Sequence, residues 1–311
     1  MKTLAQIGED RLLERLASAL PRGANVRIGV GDDCAVTRLP GDTRHEGLLT
    51  SDAVLERVHF RSGASPEAVG RKAVARALSD IAAMGGEPAW LLVNLTLPPR
   101  TPAAFLDRFY RGFNRLAQQY GAAAVGGDLS RGHAIAVHVF AFGFAPRGRA
   151  LLRSGARPGD LLYATGALGD SLRSERHLTF EPRLAEGRFL RRWASAAMDI
   201  SDGLASDLPR LAARSGVGAV LRGAALPLAP SLARYARTAT RLRHALCDGE
   251  DYELLFALPT KKQKAFERAW RRTFPLPCTA IGTVTNEKGR ILLLNANGKL
   301  QPLPGSGYTH Y

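Results

Sequence analysis

Val26, Ile28 and Val30 alternate with polar or small residues and then run into Gly31-Asp32-Asp33, with Cys34 and Ala35 directly after. A period of two predicts a half-buried strand, and the glycines predict a tight bend that carries two acids at its end. Upstream, Leu4, Ile7, Leu12, Leu16 and Leu20 recur at helical spacing, which predicts an amphipathic helix over 4–20 closed by Pro21. After a loop at Pro40-Gly41, Leu48-Leu49-Thr50-Ser51-Asp52 predicts a second strand that again ends in an acid. Ser65-Pro66-Glu67 carries the cap and first-turn proline of a helix start. Val69, Val74, Leu78 and Ile81 give that helix a buried face up to Gly85-Gly86, with Asp80 in its last turn. Trp90 to Leu97 is almost wholly apolar, as expected of a strand buried on both faces. Thr101-Pro102 opens a helix with Phe105, Leu106, Phe109, Phe113, Leu116 and Tyr120 inward, stopped by Gly121. A short strand, Ala122 to Val125, ends in Gly126-Gly127-Asp128, and a long one covers Ala134 to Phe144.

Pro146-Arg147-Gly148 breaks the pattern and predicts a boundary between a domain of residues 1–146 and a second of 147–311. The second half restarts with a strand at Asp160 to Thr165, then Gly169-Asp170 and a poorly patterned segment over 171–196. Asp199-Ile200-Ser201-Asp202-Gly203 precedes a helix with Leu204, Leu208 and Leu211 inward and Gly216 at its end. Pro209 falls inside that helix and is expected to kink or split it. Strands near 217–221, 254–258, 279–284 and 290–294 and a helix over 261–272 complete the pattern. The class expected is α/β (α+β), with an N-terminal sheet-plus-helices domain and a C-terminal α/β domain.

Composition narrows the partners. With 45% apolar and 23% charged residues, the 311-residue chain has the make-up of a soluble globular protein. Its longest apolar stretch, Ala134 to Ala145, is interrupted by His138 and too short for a bilayer. The N-terminus has no basic segment followed by an apolar run, and Cys34, Cys247 and Cys278 form no ligand spacing. A cytoplasmic protein with reduced thiols is expected, with no membrane partner. The net charge of +15 comes from scattered arginines at helical spacing, without a basic block interleaved with aromatics. Solvated helix faces come first as its explanation, attraction of anionic small substrates second and nucleic acid a distant third.

Taken one by one, the acids have plain explanations. Asp52 suits a turn, Arg76 lies four residues before Asp80, Asp199 and Asp202 stand where a helix cap belongs, and Gly127-Asp128 is a turn dipeptide. Two features shift the balance. Asp80 sits at a helix C-terminus, which disfavours an anion, among the apolar neighbours Leu78, Ile81, Ala82 and Ala83. In a basic protein, Asp32, Asp33, Asp52, Asp80, Asp128, Asp199 and Asp202 all adjoin elements with a buried face. Acids gathered at one crevice call for hard cations, and Mg²⁺ shared with phosphates is the expectation. No GxxxxGK[ST], GxGxxG, kinase catalytic loop, HExxH or GxSxG occurs, so any ATP is held through metals on aspartates.

Six segments in order carry a family resemblance. They are Gly31-Asp32-Asp33, Thr50-Ser51-Asp52 with His59-Phe60, Leu78 to Gly85, Gly126-Gly127-Asp128, Asp199 to Gly203 and Gly249 to Leu254. Together they resemble the thiamine-monophosphate kinase family, of the aminoimidazole ribonucleotide synthetase-like superfamily, from about residue 4 to Tyr308. The resemblance implies the two-domain fold of that superfamily and transfer of the γ-phosphoryl group of ATP to thiamine monophosphate. It implies several magnesium ions on Asp33, Thr50, Ser51, Asp52, Asp80, Asp128, Asp199 and Asp202, of which Asp33, Asp52, Asp80, Asp128 and Asp199 are the catalytic set. Gly127, Asp128, Arg153 and Ser201 would contact ATP; His59, Glu250 and Tyr308 would contact the thiamine phosphate. It also implies a homodimer with paired N-terminal sheets.

The residue types suit that chemistry. The attacking phosphate oxygen is already ionised, so charge neutralisation and alignment are needed rather than a strong base. Three departures bear on the thiamine pocket: Asp248 stands where the family usually has glycine, Pro209 lies inside a helix, and 171–197 is short. Another ATP-dependent enzyme of the superfamily (purine-pathway synthetase, selenophosphate synthetase or hydrogenase-maturation type) is the alternative. No reactive Cys precedes the first strand, as selenophosphate synthetase would have. A non-enzymatic nucleotide- or nucleic-acid-binding protein is a further class, marked by strongly salt-dependent binding.

Overall fold

The structure, a computed structural model, describes residues 3–20, 23–303, 305, 307 and 308. The first half begins with α1 (Leu4–Ile7) and α2 (Glu9–Ala19), separated by Gly8 at φ 82°. The single helix expected over 4–20 is therefore broken where glycine adopts a left-handed backbone. The stop assigned to Pro21 lies outside the described residues.

The rest of this half is β1 (Val26–Ile28), β2 (Ala35–Arg38), β3 (His45–Leu55), α3 (Pro66–Ala83), β4 (Glu87–Leu97), α4 (Ala104–Gln119), β5 (Ala123–Arg131) and β6 (Ala136–Pro146). Its sheet has the order β1-β2-β3-β6-β4-β5 and is antiparallel except for the β4–β5 pair. α3 and α4 cover one face, burying Val69, Leu78, Phe109 and Phe113 against Leu91, Val137 and Val139.

Three strand predictions are corrected. β3 does not end at Asp52: it pairs with β6 from His45 to Leu55, so Asp52 lies inside a long strand. β5 likewise continues through Gly127-Asp128 to Arg131, paired in parallel with β4. A Cβ at Gly127 would fall 1.9 Å from the Val93 carbonyl oxygen, so this glycine lets the two strands approach. β4 is buried on one face only. Trp90 is 50% exposed and Leu92 45%, and they alternate with fully buried Leu91 and nearly buried Val93. Its outward residues are apolar but uncovered, which an unbroken apolar run cannot distinguish from burial on both faces. With Leu49, Val125, Phe140 and Phe142 they line a groove of about 530 Å³ on the face away from α3 and α4.

The second half comprises β7 (Leu161–Thr165), α5 (Leu184–Leu190), β8 (Ala196–Ile200), α6 (Leu204–Ser215), β9 (Gly218–Arg222), α7 (Thr238–Cys247), β10 (Glu253–Leu258), α8 (Gln263–Thr273), β11 (Cys278–Thr285), β12 (Ile291–Leu294) and β13 (Leu300–Pro302). The sheet order is β13-β12-β9-β11-β7-β10-β8, antiparallel apart from β12 with β9. Every residue of β10 is buried, because Leu255 and Ala257 face Leu204 and Leu208 of α6 while Phe256 and Leu258 face Phe266 and Trp270 of α8. α6 passes through Pro209 without interruption. The segment over 171–197 holds a single 3₁₀ turn, Arg176–Leu178, and α5 before β8 begins at Ala196. No helix among the described residues is long and apolar enough to cross a membrane.

α3 joins the halves. It packs on β3 and β6 of the first half and on α5 and β8 of the second. Residues near its C-terminal end therefore reach both sheets.

Candidate active site

Consecutive residues of α3 show that reach. The Ser79 hydroxyl donates to Asp199 Oδ2 on β8 at 2.6 Å, and the Thr50 hydroxyl on β3 donates to Asp80 Oδ2. Asp33 enters from the turn before β2, where Gly31 at φ 117° permits the bend. Among the described residues, Asp33, Asp80 and Asp199 offer carboxylate oxygens that all lie within 4.8 Å of one another. Arg153, just beyond the first sheet, donates Nη2 to Asp33 Oδ1 at 2.6 Å and its backbone N–H to Asp32 Oδ1 at 2.9 Å. Asp33 Oδ2 is buried and accepts no hydrogen bond.

The acids resist ionising together. Burial, then the charges of Asp52, Asp199 and Asp33, pushes the Asp80 carboxyl well above its ordinary range. Burial and Asp33 push Asp199 up to about 7, against the hydrogen bond from Ser79. Burial, helped by the charge of Asp33, outweighs the Arg153 N–H at Asp32 and raises it to about 6. Closely spaced carboxylates with an unpartnered buried oxygen and an all-oxygen donor set fit a hard divalent cation such as Mg²⁺. The same residues would otherwise leave like charges facing one another in a poorly solvated space.

The i,i+4 spacing suggested that Arg76 pairs with Asp80. It turns elsewhere. Its Nη2 donates to Asp52 Oδ1 at 3.1 Å and its Nη1 reaches Glu250 Oε1 at 3.4 Å. Lys72, one turn earlier and fully buried, donates to Glu250 Oε2, to the His59 carbonyl oxygen at 2.6 Å and to His177 Nδ1 at 2.8 Å. Burial pulls the Lys72 ammonium down to about 8, against the attraction of Glu250. Burial and the Lys72 charge pull His177 down to about 3, so its neutral ring accepts the Lys72 hydrogen bond. His59 is buried, and its Nδ1 accepts the Leu55 N–H at 3.0 Å. The neutral ring therefore carries its proton on Nε2.

The remaining expected site residues are spread more widely. Thr50 and Asp52 share the α3 side of β3, whereas Ser51 is exposed on the opposite side of the pleat. Gly127 and Asp128 lie on exposed β5, where Ser130 donates to Asp128 Oδ2 at 2.7 Å. Asp202 is paired with Arg210, and its backbone N–H goes to buried Asp207 at 3.1 Å. The Tyr308 N–H is bonded to the Asp202 carbonyl at 2.9 Å, which brings the C-terminal segment beside the start of α6. The Ser201 carbonyl accepts the Glu250 N–H at 2.6 Å. Asp33, Asp80 and Asp199 are thus brought together, Asp52 joins through Arg76 to Glu250, and Asp128 and Asp202 stand apart with partners of their own.

Glu250 and Tyr252 both hold left-handed backbone, at φ 58° and 50°, a cost of about 1–2 kcal/mol each for non-glycine residues. The acids around them secure this segment. Arg183 grips Glu253 with Nε and Nη2 at 2.8 and 2.6 Å, and Thr165 adds a third bond at 2.7 Å. Asp251 accepts the Gly169 N–H, the Ser171 hydroxyl and Arg176. Asp248 turns away from Glu250: its carboxylate takes the Asp170 N–H at 2.8 Å and pairs with His244. The extra charge of this departure is absorbed by the fold. Lys72, Arg76, His177 and Arg183 were not singled out as site residues. A lysine inside the apolar face of Val69, Ala73 and Leu78 was the one signal available, since a buried cation requires partners.

Comparison with known proteins identifies the family. Residues 31–145 match the AIR synthase related protein N-terminal domain, and residues 148–294 match the C-terminal domain of the same family. Thiamine-monophosphate kinase of Escherichia coli strain K12 is 36% identical over 307 residues, covering 92% of this chain and 93% of that protein. The Aquifex aeolicus enzyme of the same name is 33% identical and covers 99% of both. A solved structure described as AaThiL complexed with AMPPCP and TMP superposes with a TM-score of 0.86 at 32% identity, over 100% of this chain and 99% of that one. Sequence and fold agree: the chain belongs to the thiamine-monophosphate kinase family, with the two-domain fold of AIR synthase related proteins.

Proposed function

We propose that the protein transfers the γ-phosphoryl group of ATP directly to thiamine monophosphate, giving thiamine diphosphate and ADP. The observation that carries this reading is the cluster of Asp33, Asp80 and Asp199 at the seam of the two halves, with its unpartnered buried oxygen, in a chain of this family. Asp33, Asp52, Asp80 and Asp199 would hold Mg²⁺ there together with Thr50, and Asp128 and Asp202 would bind further ions of the set, whereas the Ser51 side chain, on the opposite side of β3, does not face it. Bound Mg²⁺ supplies neutralisation of the phosphate charge that would otherwise keep two polyanions apart.

The chain's own residues hold and orient. Arg153, fixed on Asp33, presents positive charge to ATP beside Gly127, Asp128 and Ser201. His59, Glu250 and Tyr308 bind the thiamine phosphate. No side chain need remove a proton, because the acceptor oxygen is already ionised at neutral pH. The family's dimer fits the apolar groove of the first sheet, which a second copy of the chain would cover. We place the domain division at Pro146/Arg147, and the free thiols of Cys34, Cys247 and Cys278 suit a cytoplasmic enzyme.

A coupled assay with ATP and Mg²⁺ tests the reading. Thiamine monophosphate should yield ADP and thiamine diphosphate, and unphosphorylated thiamine should yield neither. Folded protein that forms no thiamine diphosphate would overturn it.

A further inference from the structure

Two of the three cations of α3, Lys72 and Arg76, have no part in the reaction as described so far. Lys72 uses its three ammonium hydrogens on three acceptors: the His59 carbonyl, His177 Nδ1 and Glu250 Oε2. It is fully buried and has no donor left for a ligand. Arg76, one turn on, takes the other Glu250 oxygen and holds Asp52 with its second amino group. Its guanidinium lies 5.8 Å from the ring centre of Tyr252, and its Nε–H is buried without an acceptor. Such an orphaned donor is unfavourable and indicates that the placement of the cation outweighs its full hydrogen bonding.

Glu250 is the focus of both. It comes from the second half, has a left-handed backbone, and faces Asp52 across Arg76. Without the two cations a carboxylate at that point would be repelled by Asp52. With them, each oxygen of Glu250 has its own partner on one rigid helix, the same helix that carries Asp80.

We propose that Lys72 and Arg76 are positioning residues for the acceptor side of the reaction: they lock Glu250 to α3 and thereby set the acceptor phosphate in line with the metal-bound donor. The inference rests on the kinase reading above and deepens it. The competing explanation is a pair of ion bridges that merely dock the two halves. Docking alone would affect both substrates alike, or stability only, whereas positioning acts on the acceptor.

Arg76→Met and Lys72→Met are compared with the parent enzyme by steady-state kinetics in each substrate, and by calorimetry with Mg²⁺ and a non-hydrolysable ATP analogue. For Arg76→Met, kcat/KM for thiamine monophosphate should fall about 100-fold while analogue affinity is retained. Arg76→Lys keeps the charge and one of the two contacts and should recover part of the loss. Lys72→Met leaves Glu250 short of a partner inside the protein; if it fails to fold, Glu250→Gln and the Arg76→Met/Glu250→Gln pair decide the matter. The double variant should lose clearly less than the product of the two single losses, because the effect of Arg76 on the acceptor runs through Glu250. Equal loss of analogue binding, an unchanged kcat/KM, or strictly additive effects would overturn the proposal. A parent enzyme without kinase activity would instead overturn the functional reading, so the two failures are separable.

Discussion

Two groups of buried acids sit near the seam of this protein, and their surroundings are opposite. Asp251 and Glu253 are fully provided for, by Arg176, Arg183, Ser171, Thr165 and the Gly169 amide. Asp33, Asp80 and Asp199 face one another with one arginine between them and one oxygen unpartnered. The first group is architecture, since its charges are balanced within the chain. The second has a deficit of positive charge that a ligand must supply. Balance of charge, more than burial or motif membership, separates the two roles.

Substitutions can break or sharpen that contrast. Asp80→Asn carries the largest expected effect: turnover falls roughly 1,000-fold, with little change in melting temperature, because the proposal makes the residue a metal ligand while Asn still offers an acceptor to the Thr50 hydroxyl. Near-normal turnover at ordinary Mg²⁺ would place Asp80 with the structural acids. Glu253→Gln should do the reverse. Loss of the charge that faces Arg183 costs about 3 kcal/mol in urea unfolding, while activity per folded molecule is largely kept.

The next effect is one of pH. The Asp199 carboxyl is raised to about 7 by burial and by Asp33, so the folded metal-free protein holds a proton that the unfolded chain releases near pH 4. Its contribution to stability is complete below that lower value and is lost as pH rises towards about 7. Saturating Mg²⁺ should flatten this slope, as should Asp199→Asn. Asp251, also raised to about 7, contributes over the same window and should do so with or without Mg²⁺. A slope in metal-free protein that neither treatment changes would contradict the assignment of Asp199 to the cluster. The smallest effect belongs to Asp248→Gly, which removes the bond to the Asp170 amide and the pair with His244. It should cost about 1 kcal/mol of stability and leave kinetic constants alone.

The contrast was only partly legible in the sequence. Asp80 was readable because an acid at a helix C-terminus among apolar residues has no local reason to be there. The strands were readable by their periodicity, but their ends were not. Asp52 and Asp128 resemble turn residues, yet the ladders of β3 and β5 run on through them, since pairing partners far along the chain decide where a strand stops. β2, four residues of mixed pattern, exists because Ala35 to Arg38 find β3 beside them. Arg76 shows the same limit. Local spacing offered Asp80 as its partner, whereas the fold supplied Asp52 and, 174 positions away, Glu250.

The central claim is that the unbalanced acids hold the metal. Calorimetric titration with Mg²⁺, in the presence of a non-hydrolysable ATP analogue, addresses it in the parent, Asp80→Asn and Glu253→Gln proteins. Charge deficit as the basis of metal binding predicts that Asp80→Asn loses Mg²⁺ affinity while Glu253→Gln, below its melting transition, keeps it. Mg²⁺ binding by Asp80→Asn equal to that of the parent would contradict the claim.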